Sequence, residues 1–227
     1  MHRRTILVTA SLLVGSAGLA VPAVASAHGA GKTACTGTLA AGTYQDVQVK
    51  TGQTCAIDAT VTISHDLKMD GGTLVDTGAT IRHDVHVHGA ASVSITGGTV
   101  SHDIKIEKHT AAVSVSGATV GHDIQFESTT GAASVVGATV GHDAKVTGGA
   151  GVTISGTSVA HDLKVTSSSG AVTVSTNTVS GKITVTDSTP GGATIQDNTD
   201  HSCDQHNNHP YLGSGNAAAG SCNTSNV

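Results

Sequence analysis

Along most of the chain, short runs alternate apolar and polar residues with the period of a β-strand, and the runs come three to a unit. The unit around His122 shows the pattern. Val113-Ser-Val-Ser116, Ala118-Thr-Val120 and Ile124-Gln-Phe126 alternate, Gly117 and Gly121-His-Asp123 punctuate them, and Glu127 to Ala132 forms a small polar loop. The same unit recurs, marked by a His-Asp pair at 65, 83, 102, 122, 142 and 161, with successive spacings of 18, 19, 20, 20 and 19 residues. A degenerate unit, Ser180-Gly-Lys-Ile-Thr-Val185, follows.

Three strands in about 20 residues cannot bury their apolar face alone, whereas stacked units can. The pattern therefore predicts an all-β, single-stranded parallel β-solenoid with three short strands per coil, seven or eight coils long and close to free of helix. Right-handed winding is expected, because left-handed hexapeptide helices keep a stricter multiple of six than this drift. Three columns should point inward. They are Ile63, Ile81, Val100, Val120, Val140 and Val159 before the pairs; Leu67, Val85, Ile104, Ile124, Ala144 and Leu163 just after; and Met69, Val87, Ile106, Phe126, Val146 and Val165 beyond. These small and medium aliphatics suit a narrow core.

The ends differ from the repeats. Residues 1–27 have the form of a signal peptide: a basic start with Arg3 and Arg4, an apolar stretch, and an Ala25-Ser-Ala27 cleavage pattern. A short extension over 28–34, solenoid repeats with an N-terminal cap coil over 35–199, and a C-terminal cap over 200–227 complete the expected organisation. The apolar stretch is short and Gly-interrupted, which argues against a retained membrane anchor. The adjacent arginines are a weak hint of twin-arginine export. Losing Arg3 and Arg4 takes the formal charge from −5 to −7, a poor balance for nucleic acid or an anionic membrane surface. Four cysteines lie near the ends of the mature chain, and an exported protein oxidises them. Pairing within each end, Cys35 with Cys55 and Cys203 with Cys222, is expected because the repeats hold the ends apart; no close Cys pair suggests zinc.

Cys35-Thr-Gly-Thr-Leu39, Gly42-Thr-Tyr44, Cys55 and coils such as Gly137-Ala-Thr-Val-Gly-His-Asp143 resemble a group of secreted actinobacterial repeat proteins of unestablished function, with a looser similarity to bactofilins. The resemblance covers nearly the whole mature chain and implies a β-solenoid without supplying an activity. Where that group carries Gly-Asn at the corner, this chain carries His-Asp.

Stacking turns the repeated pair into two columns: His65, His83, His102, His122, His142 and His161 beside Asp66, Asp84, Asp103, Asp123, Asp143 and Asp162. Carboxylates about 4.8 Å apart repel by about 0.9 kcal/mol even at the dielectric of water, so the ladder needs an offset. Lys68, Lys105, Lys145 and Lys164, three residues after the His, could supply an Asp/Lys lattice; protonated His is a second offset. A bound Zn²⁺, Cu²⁺ or Ni²⁺ ion is the third, since imidazole and carboxylate form a transition-metal ligand set. His86 and His88 enlarge that set near His83, with His109 beside the next coil. His201, His206 and His209 cluster in the C-terminal cap, and cleavage would expose His28 as an N-terminal copper chelator. The ring is expected to turn outward, because burying six imidazoles without partners is costly.

Metal binding by the ladder is the reading taken from this pattern, and an extracellular or cell-surface structural module without a ligand is its alternative. Association with the cell wall or with further copies stays open. A polysaccharide lyase would need long loops and aromatic platforms, which the short loops, the absent Trp and the scattered Tyr44, Tyr211 and Phe126 do not offer. No differentiated catalytic set stands apart from the repeats, so no enzyme activity is expected. A Thr column at 62, 80, 99, 119 and 139, continued by Ser158, raises ice binding as a lesser alternative.

Overall fold

The computed structural model describes residues 31–206 and 208, together with the backbone of the short strands Tyr211–Ser214, Ala217–Ala218 and Asn223–Ser225. Residues 1–27, expected to be a signal peptide, and His28, His209 and Cys222 lie outside the described residues. Among these residues the chain is a parallel β-solenoid with no helix. Three sheets of eleven, ten and ten strands run along it, and every third strand in sequence is a neighbour in a sheet. The first sheet carries the strands that follow each His-Asp pair, such as Val85–His88 and Ile104–Glu107; the second carries Val113–Ser116 and its equivalents; the third carries the short Thr-Val strands just before each pair.

Registry is what the alternation predicts. Val47, Leu67, Val85, Ile104, Ile124, Ala144, Leu163, Ile183 and Cys203 pair Cα to Cα down the first sheet. All three inward columns are buried, and Phe126 is the largest fully buried side chain. Slipping one coil by one residue would turn its apolar set to solvent, so the core itself holds the register. The drift between 18 and 20 residues is absorbed outside the aliphatic columns, as in the shift between Phe126 and Thr129.

Tight corners follow the second sheet. Gly97, Gly117, Gly137 and Gly156 adopt left-handed φ values of 58–68° there, and Thr176 (55°) and Asp197 (55°) continue the column. Glycine adopts this conformation without a Cβ penalty. The His-Asp corner uses no left-handed residue, so side chains must close it.

The N-terminal cap coil is stapled as expected: Cys35 and Cys55 form a disulfide. At the other end, Cys203 is disulfide-bonded, and its expected partner Cys222 is beyond the described residues. The segment read as an irregular C-terminal cap keeps winding. Ser202–His206 pairs in register with Lys182–Thr186, because Cys203 and Gln205 preserve the inward alternation. The caps thus extend the same three sheets past the repeats.

Truncating Phe126 to Ala should lower stability by about 3–5 kcal/mol, since a 20-residue coil stacked on two neighbours cannot collapse into the cavity. Val136→Ala, on the outer face, should change it by less than about 0.5 kcal/mol. Urea unfolding followed by circular dichroism checks both.

A histidine-aspartate ladder as candidate metal centre

Each corner imidazole reaches down one coil. His65 Nδ1 donates to Asp46 Oδ1 at 2.8 Å, His83 to Asp66 at 2.6 Å, His102 to Asp84 at 2.8 Å, His122 to Asp103 at 2.9 Å, His142 to Asp123 at 2.9 Å and His161 to Asp143 at 2.6 Å. An ionised carboxylate only accepts, so Nδ1 carries the hydrogen. The same Oδ1 also accepts the backbone N–H of the next coil's Asp, at 2.9–3.4 Å from Asp66 to Asp162. The second oxygen of each Asp stays 3.3–3.9 Å from the Nδ1 of its own coil's His. Imidazole and carboxylate therefore alternate along the rod, with a ring Nδ1 between each pair of successive carboxylates. This alternation is the offset that the carboxylate repulsion demands.

The rings stack in one file. Successive centroids are 4.7–5.3 Å apart and interplanar angles are 3–8°. Every ring is about half exposed, 43–55% by side chain, so the corner does turn them outward. His102, His122, His142 and His161 are also tied through the backbone, each N–H donating to the carbonyl of the previous corner His.

Electrostatics follow from these contacts. The hydrogen bonds to Asp46, Asp84 and Asp143 raise the pKa values of His65, His102 and His161 above the ordinary imidazole value. His65 in turn lowers Asp46. Burial alone would raise Asp66, but hydrogen bonds from Lys68 and His83 outweigh it and hold the carboxyl at about 2. Asp123 is likewise lowered against its burial, by the backbone of Asp143 and the ring of His142.

Five overlapping groups could hold a metal ion: His65, Asp66 and His83; His83, Asp84 and His102; His102, Asp103 and His122; His122, Asp123 and His142; His142, Asp143 and His161. In each, one ligand atom per residue lies within 4.8 Å of the others. The Asp–imidazole hydrogen bond fixes the tautomer of every neutral ring and leaves the lone pair on Nε2, the carboxylate–histidine arrangement that orients metal-ligating imidazoles.

Other expected members lie elsewhere. His86 and His88 project from the outer face of the first sheet, in register with Lys68 and Lys105 and with Asp70 and Glu107, and belong to none of the five groups. A hollow of about 120 Å³ lined by Asp84, His86, Asp103 and Lys105 does bring His86 beside the ladder's carboxylates. His109 is buried edge-on against Phe126 and donates from Nδ1 to Ala111 O. Its Nε2 is sealed from solvent, so it is a core residue and no ligand. His201 and His206 join none of the groups.

The Asp/Lys lattice forms at a single rung. Lys68 Nζ meets Asp66 Oδ2 at 2.9 Å, whereas Lys105 turns to Glu107 at 3.1 Å and Glu127 at 3.9 Å. Lys145 and Lys164 make no ion pair among the described residues. Oδ1 of each Asp is already taken by the next coil, which leaves the lysines one oxygen to compete for.

Asp46 is the member a search for His-Asp pairs misses, since Gln45 precedes it. Its signal is the motif Asp46-Val-Gln-Val49, one period before Asp66-Leu-Lys-Met69. At the far end Gly181 stands in the His position and Lys182 N–H donates to Asp162 Oδ1 at 2.7 Å, so the ladder stops there.

No protein family model, curated protein or solved structure matches this chain.

The ladder's pH dependence has a definite sign. The raised His pKa values contribute stability that is complete below the unfolded imidazole value, about 6.5, and fades as pH rises through the folded values. The lowered Asp values contribute stability that is complete above the unfolded carboxyl value, about 4, and fades as pH falls. The advantage of the wild type over a variant with all six corner histidines changed to Asn should therefore peak between these limits and shrink on both sides, as read from urea midpoints against pH. By NMR, Asp84→Asn should return the His102 pKa toward its ordinary value.

Proposed function

We propose that this protein is a secreted, non-catalytic β-solenoid that binds divalent transition-metal ions, Zn²⁺, Cu²⁺ or Ni²⁺, along its His-Asp ladder. The observation that carries the reading is the uniform donation of Nδ1 to a carboxylate at all six rungs. It presets six imidazoles to offer Nε2, the nitrogen and tautomer that a borderline-soft ion takes. The file repeats the same preset ligand at six rungs along one edge of the rod. In this reading the Asp residues at 66, 84, 103, 123, 143 and 162, with Asp46 below them, orient and polarise the rings, and His86 extends the site at one hollow.

Export fits the signal-like N-terminus, the stapled cap coil and the resemblance to secreted actinobacterial repeat proteins. No helix among the described residues is long and apolar enough to cross a membrane. Identical rungs suit repeated binding better than catalysis, which needs one differentiated site.

Calorimetric titration of the purified chain with Zn²⁺ and Cu²⁺ tests the proposal. Uptake is expected at pH 7.5 and should weaken strongly at pH 5.5, where protons compete for Nε2. The six-Asn variant, which keeps a donor for each Asp but lacks the imidazole, should lose most of the uptake. Equal heat from that variant, or none from the wild type, would leave the ladder as a structural device of an extracellular module.

A further inference from the structure

The metal-binding reading leaves each ion short of ligands. A tetrahedral ion takes four donors, nitrogens at about 2.0–2.1 Å, so two nitrogens on one ion are about 3.4 Å apart. Stacked rings cannot meet that demand. Their planes are within 8° of parallel and their centroids 4.7–5.3 Å apart, so neighbouring Nε2 lone pairs run side by side and do not converge. Nδ1 is already committed to Asp. With Nδ1 committed in this way, an ion bound through Nε2 within one molecule holds one ring nitrogen and fills its remaining positions with water.

On the side away from the Lys68, His86, Lys105, Gln125, Lys145 and Lys164 column, the surroundings of the row are low. The residue before each ring is Ser64, Arg82, Ser101, Gly121, Gly141 or Ala160, of which Arg82 alone is long. The adjoining sheet presents Thr62, Thr80, Thr99, Thr119, Thr139 and Ser158 in unbroken register. On that side the half-exposed rings neighbour a column of short hydroxyl side chains. A partner that brings a second nitrogen to every ion must carry nitrogens at the ladder's own spacing, and a second copy of this chain carries them by construction. Charge favours ions at the contact: two chains of formal charge −5, or −7 without Arg3 and Arg4, repel, and divalent ions between them offset that repulsion.

We infer that two copies of this chain pair ladder to ladder through transition-metal ions, each ion held between one Nε2 of either copy; this rests on the metal-binding reading above. The contact is the same patch on both copies, so it closes at a dimer. It assigns the Thr column a role as the clearance beside the ladder, since long side chains there would hold the rows apart.

Sedimentation velocity with Zn²⁺ added, then removed by EDTA, tests the pairing, with calorimetry on the same samples. A reversible shift from monomer to dimer is expected, saturating at half as many ions per chain as one ion per ring would require. The variant Thr99→Gln, Thr119→Gln, Thr139→Gln, altered at exposed positions outside the ladder, should still take up zinc yet stay monomeric. A wild type that binds zinc and sediments as a monomer would overturn the inference and leave the metal reading standing. So would open-ended aggregation, or zinc-driven dimers of the six-Asn variant, which would trace to histidines elsewhere. Absence of zinc uptake would remove both.

Discussion

Vertical registry, the placement of each residue over its counterpart one coil below, is enforced twice in this molecule. Inside, the aliphatic columns enforce it by area: a one-residue slip would expose the whole apolar set of a coil. At the His-Asp corner, hydrogen bonds enforce it by direction, because each Asp gathers both the ring and the backbone N–H of the coil above. The inner constraint is strong and unspecific to chemistry. The outer one is weaker per contact but determines which nitrogen of each ring faces away from the protein. Structure and candidate chemistry thus share one repeated bond.

That sharing explains why the corner departs from glycine-rich turns. Elsewhere in each coil the chain reverses through left-handed residues, as at Gly117 and Gly137. The His-Asp corner stays in ordinary backbone space and is closed by side chains instead. An Asp that accepts two hydrogen bonds from the next coil does the work of a capping residue, and the imidazole supplies the donor that keeps the carboxylate column from repelling itself.

Most of the architecture was legible in the sequence because period and alternation are global signals. The three strands of the unit around His122, the inward columns and the Cys35–Cys55 staple all appear where the pattern puts them. What was less legible depends on a third dimension. Adjacency in sequence suggests that His122 belongs with Asp123, whereas its short bond goes to Asp103. Only the stacking of coils shows that. Asp46 carries no His-Asp signal, since Gln45 precedes it and its partner His65 is a full coil away. At Lys105 the expected Asp pairing yields to competition, because Glu107 and Glu127 flank it on its own face. Residue type alone makes His109 a ligand candidate, whereas its burial against Phe126 follows from the loop's path.

Because every imidazole is held by the coil beneath it, the ladder is a directional series that opens on Asp46, which has no ring of its own, and closes on Asp162, which has no ring above it. Such a series can grow or shrink only in whole units. Duplicating or deleting one coil adds or removes one ring and one acid and leaves every remaining partnership intact, while an insertion of a single residue inside a coil would sever the bonds both above and below. Gene-level changes of about 20 residues are therefore the natural step by which chains of this design could lengthen or shorten their array while keeping its alternation.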